Sequence, residues 1–199
     1  MRALTAVPRG RRWRPALPST VPRSWAQWLR RPGSLTRALQ TLGHVEVRVG
    51  LQGIVCLPPR FAAPLTGSVI AANKNLRVAA DDVSCWVRDI TLAVDGEAVI
   101  AARSVVSACE SRGAWKSIRT LQARPLANLL YHDPAVSRSV FSYGSFSLFE
   151  TPFVDRNLVD VRSAIANAWS RSSVFCRRGA PLVLTEIFLP KLWTLIERE

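Results

Sequence analysis

The sequence predicts an α+β fold built on an antiparallel sheet, and three observations carry this. Apolar and polar residues alternate in "VEVRVGL" (45–51), the period-two signature of a half-buried strand. Two pairs of strand-like runs are joined by tight-turn dipeptides, Asp95-Gly96 within 85–106 and Arg178-Gly179 within 172–190, so each pair reads as a hairpin. The strand runs follow one another through short turns, with helices only interspersed, which argues against a βαβ repeat.

The chain divides into a tail, residues 1–23, and a single domain, 24–199. Pro8, Pro15, Pro18 and Pro22 interrupt the first segment and arginine fills it, a composition that predicts disorder. The net charge is +13 for 199 residues, yet nine of the 27 basic residues fall in 1–45, which holds no acid. The rest carries 18 basic against 14 acidic residues, a net of +4. The positive charge is therefore a poor guide to what the domain binds. It implies no specific nucleic acid, only weak contact of the tail with anionic surfaces. No run approaches the roughly 18 uninterrupted apolar residues of a membrane helix.

From the tail onward the elements follow in order. "SWAQWL" (24–29) begins the folded chain. Ser34 is a helix N-cap, Leu35, Leu39 and Leu42 share a face, and Gly43 is a stop. In 45–51, Val45, Val47, Val49 and Leu51 point inward and Glu46 and Arg48 outward. Residues 57–80 read as loop. The first hairpin follows, then a short helix in "RPLANLLYHDP", opened by Pro125 and closed before Pro134. Residues 136–149 have strand composition, 150–168 read as a loop running into a helix, and the second hairpin follows.

The four cysteines, 56, 85, 109 and 176, show no CxxC spacing, and His44 and His132 lie far apart. No metal site or disulfide framework is expected. Reduced thiols among apolar residues point to the cytoplasm.

Two charges sit where strands should be apolar. In the last strand Leu182, Leu184, Glu186 and Phe188 share one face, and Val183, Thr185, Ile187 and Leu189 the other. Both faces are apolar enough to be covered, so Glu186 has no wet side. In the first hairpin Trp86, Arg88, Ile90 and Leu92 share a face, while Asp89 and Thr91 mark the opposite one as solvent-facing. Arg88 therefore points to the core. Buried charges pair, neutralise or serve a ligand. The pattern leaves two readings open: an Arg88–Glu186 ion pair, or a closed pocket with Arg88 for a carboxylate and Glu186 for a hydroxyl or proton.

"WVRDITLAVDGEAVIAARSVV", "RPLANLL" and "RRGAPLVLTEIFLP", in this order, together with "QWLRRPGSLTRAL", resemble the chorismate lyases of the bacterial ubiquinone pathway over roughly residues 24–193. The resemblance implies a six-stranded antiparallel sheet with helical lids over an internal cavity. It implies conversion of chorismate to 4-hydroxybenzoate and pyruvate without metal or organic cofactor. Carried over by motif, the ligand contacts would be Arg88, Leu126 and Glu186, with Leu35 where the family's lid places an apolar side chain, often methionine. Arg88 and Glu186 would be the catalytic pair, Arg88 clamping the ring carboxylate in bidentate fashion. Glu186 would hydrogen-bond the ring hydroxyl, either transferring a proton or only positioning the substrate. The protein is expected to be a monomer. The segment 148–165 is longer than the family pattern, an insertion read as a surface loop. The alternative is a non-catalytic sensor domain of the same fold, as in transcription regulators. It calls for a DNA-binding helix-turn-helix, for which residues 1–45 leave little room.

Overall fold

The computed structural model describes residues 13–58, 65, 82–145 and 168–197. Its framework is a seven-stranded antiparallel sheet with strands β1 (Val45–Leu57), β2 (Val83–Val94), β3 (Glu97–Ser107), β4 (Val136–Arg138), β5 (Ser142–Ser145), β6 (Trp169–Arg177) and β7 (Ala180–Phe188). The order across the sheet is β1-β2-β3-β7-β6-β4, with β5 also on β6. β4 lies opposite Phe175–Arg177 and β5 opposite Trp169–Ser172. These two short strands thus share one edge position, and the sheet is six positions wide, the width that the resemblance implies.

The two hairpins form where the dipeptides place them. Asp95 and Gly96 have φ of 48° and 84°, and Arg178 and Gly179 have 51° and 83°. Paired left-handed residues make the tight turn that matches the twist of the flanking strands. Ser34 caps helix α2 (Leu35–Leu39) by accepting from the Arg37 amide at 3.2 Å. A short helix at Ala127–Tyr131 follows Pro125 as the sequence predicts.

One sheet face is covered twice. At one end, helix α1 (Arg23–Arg30), α2 and the C-terminal helix Pro190–Ile196 pack a cluster that includes Trp28, Leu29, Leu35, Leu39, Ile100, Phe188 and Trp193. At the other, Trp115, Ile118, Leu121, Leu126 and Leu130 lie against Trp86, Val106, Phe175 and Leu182. The opposite face carries a third cluster with Leu57, Leu65, Cys85, Val87, Val105, Val174 and Val183.

Four expectations are corrected. First, the folded chain begins before residue 24. Arg14 and Tyr143 exchange two backbone hydrogen bonds at 2.8 Å, and Leu17 and Val21 are buried. Proline interrupts helix but suits an extended segment laid along a sheet edge. Second, Asp89 and Thr91 do not face solvent: both are buried. Asp89 accepts from Arg103 Nε and Nη2, each at 2.7 Å, so its charge is met by a bidentate partner on the neighbouring strand. Third, β1 extends to Leu57 and changes face midway. A register shift between Val49 and Leu51 leaves Val49 opposite Ile90 but Gln52 opposite Arg88. The extra residue turns Leu51 to the back face and brings Gln52 to the face of Arg88. Fourth, of the run with strand composition at 136–149, the described part, up to Ser145, is two short strands with Ser139–Phe141 between them. The insertion at 148–165, and most of 57–80, lie outside the described residues.

Candidate active site

Between the two helical covers lies a pocket of about 500 Å³, its mouth included. The floor is the sheet: Arg88, Ile90 and Leu92 of β2, Ala102 and Ser104 of β3, Leu184 and Glu186 of β7. The roof is Ser34, Leu35 and Thr36 at the start of α2, and Pro125 and Leu126 leading into Ala127, Leu130 and Tyr131 of the helix Ala127–Tyr131. Arg88, Glu186, Leu126 and Leu35, the four residues singled out from the sequence, therefore line one space. The small side chains of Ala102 and Ser104 keep its centre open.

Arg88 and Glu186 do not pair, which sets aside the reading of a structural ion pair between them. Arg88 stands opposite Ser104 of β3, and Glu186 opposite Ala102. Two strand spacings and two residues of offset put their Cα atoms about 12 Å apart. The gap is bridged by apolar and small side chains.

Each charge is anchored from behind and open in front. Arg88 is 1% exposed. Its Nε donates to Gln52 Oε1 at 3.2 Å, and its Nη2 to the carbonyls of Gln122 at 2.8 Å and Arg124 at 3.0 Å. These acceptors are neutral, so burial is uncompensated by an opposite charge and lowers the Arg88 pKa to about 10. The guanidinium remains cationic at neutral pH. Nη1 hydrogen-bonds to no described residue. An anion would meet Arg88 through Nη1, not through the bidentate fork expected from the sequence, because Nε and Nη2 are engaged. Gln122 has φ of 48°, a left-handed backbone uncommon for a residue with a side chain. Glutamine here is held in a strained conformation that aims its carbonyl at Arg88.

Glu186 is anchored by Arg171, a residue that the sequence reading missed. Arg171 Nε donates to Glu186 Oε2 at 2.6 Å, and Arg171 is 0% exposed. The other carboxylate oxygen, Oε1, has no partner among the described residues. Arg171 was nonetheless legible. A two-residue turn at Arg178-Gly179 pairs Arg177 with Ala180, and counting six residues back along each strand puts Arg171 opposite Glu186. Gln52 left no such signal, because the bulge that turns it inward breaks the alternation. Tyr131 borders the Glu186 end. Burial, then the nearby Glu186 carboxylate, push its phenol above the usual range, with Arg138 and Arg171 pulling the other way. Among the described residues no group of three or more His, Cys, Asp or Glu is placed to hold a metal ion. No helix there is long and apolar enough to cross a membrane.

The arrangement is a largely apolar pocket with the Arg88 guanidinium at one end and the Glu186 carboxylate at the other, groups able to meet an anion and a hydrogen-bond donor. The chain is similar to known proteins. A model of the family "Chorismate lyase" matches residues 9–197. A protein of Bordetella pertussis named "probable chorismate pyruvate-lyase" is 38% identical over 96% of this chain and 95% of its own. One of the same name from Bordetella avium is 35% identical over 91% of this chain and 84% of its own. Among solved structures, PhnF from Mycobacterium smegmatis superposes with a TM-score of 0.49 at 12% identity, covering 80% of this chain and 65% of that one.

Proposed function

Because the chain belongs to the chorismate lyase family, we propose that it eliminates pyruvate from chorismate to leave 4-hydroxybenzoate, the aromatic precursor of ubiquinone. One observation carries the reading: a buried guanidinium and a buried carboxylate, each anchored on one side, face a common apolar slot from opposite ends.

Chorismate has a ring carboxylate, a ring hydroxyl on the opposite side and an enolpyruvyl ether beside the hydroxyl. Arg88 Nη1 takes the ring carboxylate in a charge-assisted bond. Glu186 Oε1 accepts from the ring hydroxyl. Leu35, Leu126, Leu130 and Ile90 pack on the ring faces and exclude water. The bond between the ring carbon and the ether oxygen then breaks, its electron pair leaving on oxygen. The hydrogen on the hydroxyl-bearing carbon leaves as a proton, and its bonding electrons complete the aromatic ring. Protonation of the enolpyruvate methylene yields pyruvate, so the two products hold every atom of the substrate. Aromatisation supplies the driving force. The protein's part is to hold one reactive conformer, oriented and dry.

The test is incubation with chorismate, following 4-hydroxybenzoate by chromatography and pyruvate by a coupled assay. Equal amounts of the two are expected. Formation of 3-hydroxybenzoate, or no reaction, would overturn the reading.

A further inference from the structure

We propose that Arg171 is a positioning residue that joins the roof of the pocket to Glu186, so that the carboxylate is aligned only while the roof is in place. This rests on the functional reading above for its kinetic arm.

The guanidinium of Arg171 has three tasks in one plane. Nε holds Glu186 Oε2 at 2.6 Å, while Nη1 donates to the carbonyls of Arg31 at 2.6 Å and Leu29 at 3.3 Å. Those two carbonyls lie at the C-terminal end of α1, where helix carbonyls lack partners along the chain and the helix dipole is negative. Arg31 is three residues from Ser34, the first roof residue of the pocket. Gly33 lies between them at φ 77°, a conformation that glycine adopts without strain. The linkage therefore runs from floor to roof through one side chain: Glu186, Arg171, the end of α1, a glycine-bearing bend, then Ser34 and Leu35. Phe141 and Phe188 hold the guanidinium in place, with their ring centroids 4.2 and 5.7 Å from Cζ. No other described side chain hydrogen-bonds to Glu186. A roof displaced outward draws the Arg31 carbonyl off Nη1 and frees the guanidinium to turn, and Oε2 loses its anchor.

Arg171 does not touch the slot itself, since it is fully buried behind Glu186. That separates it from Arg88, and it dictates the kinetic signature. Loss of a group that only aligns a catalytic carboxylate lowers kcat with little change in KM. Its effect also vanishes when that carboxylate is already gone.

The experiment compares wild type, Arg171→Met, Arg171→Lys, Glu186→Gln and the double variant Arg171→Met/Glu186→Gln. It measures kcat and KM on chorismate, and amide hydrogen exchange over residues 29–36. Arg171→Met is expected to lower kcat about 30-fold or more with KM within about 3-fold, and to speed exchange at 29–36. In the Glu186→Gln background the same replacement should change kcat by less than about 3-fold. Glu186→Gln alone should leave exchange near wild type, since Nη1 keeps its carbonyls. Wild-type kcat in Arg171→Met, or an equal loss in both backgrounds, would overturn the proposal. Should Arg171→Met fail to fold, Arg171→Lys decides. An ammonium keeps the charge but cannot span Glu186 and two carbonyls, so full wild-type kcat and exchange there would overturn it. If wild type leaves chorismate unchanged, the functional reading falls. The exchange arm then judges the linkage alone, and unchanged exchange in both Arg171 variants rejects it.

Discussion

Among the described residues the charge of Arg88 meets no counter-ion, and its expected behaviour follows from that. Three neutral acceptors orient the guanidinium, and in the proposed function the anion that offsets its burial is the substrate's ring carboxylate. Arg88→Ala is therefore expected to raise KM by about 10- to 100-fold, the worth of a charge-assisted bond, with a smaller change in kcat. On the proposed function, 4-hydroxybenzoate should raise the melting temperature of the wild type, and Arg88→Ala should remove that rise. Glu186→Gln keeps the shape of the side chain and should instead lower kcat, by about 100-fold, with KM nearly unchanged. The pH dependence of the clamp has a definite sign. A guanidinium attracts an anion only while protonated, and the Arg88 pKa is lowered to about 10. Its contribution to benzoate affinity, measured by calorimetry as wild type against Arg88→Ala, should be flat from pH 6 to about 9 and fall as the pH passes 10. Cysteine reactivity is a second check at this scale. Burial, then the neighbouring Cys56, raise the Cys85 thiol to about 11, whereas Cys56 and Cys109 are exposed. Iodoacetamide at pH 8 should modify Cys56 and Cys109 in the native protein and reach Cys85 only after unfolding. Arg88 and Glu186 were both legible in the sequence because a charge on an apolar face of a strand has few cheap explanations. Gln122 and Arg124 were not. They act through backbone carbonyls, which no side-chain pattern encodes.

Among the elements, the hairpins were read most completely. Asp95-Gly96 and Arg178-Gly179 are local signals, strong enough to fix turn and register together. What the pattern could not supply was cover. Alternation in β2 marked Asp89 and Thr91 as wet, because polarity was the only cue available. In the fold that face is buried, and Arg103 of β3 neutralises Asp89. Asp89→Ala takes away the carboxylate that holds the buried Arg103 guanidinium by two 2.7 Å bonds, and breaking a buried pair from one side should lower stability by about 3–5 kcal/mol in urea unfolding. One junction is unusually tight. The Asp95 side chain accepts from the His44 amide at 2.9 Å, linking the start of β1 to the first hairpin turn. A Cβ on Gly43 would overlap Asp95 Oδ2 and stand 2.9 Å from Val94 Cγ1. Gly43→Ala should therefore cost about 1–3 kcal/mol, read as a lowered urea midpoint at unchanged slope. A larger slope change would mean that the turn is not native-like in the variant.

Across the molecule, one sheet serves two purposes. Its front carries the slot between two helical covers, and its back carries the Asp89–Arg103 pair with an apolar cluster around Val87, Val105 and Val183. The α+β class and the antiparallel order followed from the sequence, since consecutive strands joined by short turns admit little else. The seating of the segment before residue 24 did not, because contacts such as Arg14 with Tyr143 are long-range and leave no local trace. The bulge between Val49 and Leu51 has a consequence for how this chain can change over generations. Strand parity is binary, so inserting or deleting one residue between Leu51 and Leu57 would exchange every later side chain of β1 between front and back. For a change between Leu51 and Gln52, Gln52 would leave Arg88, and Val55 and Leu57 would leave the rear cluster. A change of two residues preserves parity. Length variation in this part of β1 is thus confined to even steps, and relatives that differ there by an odd number should gain or lose the bulge with it.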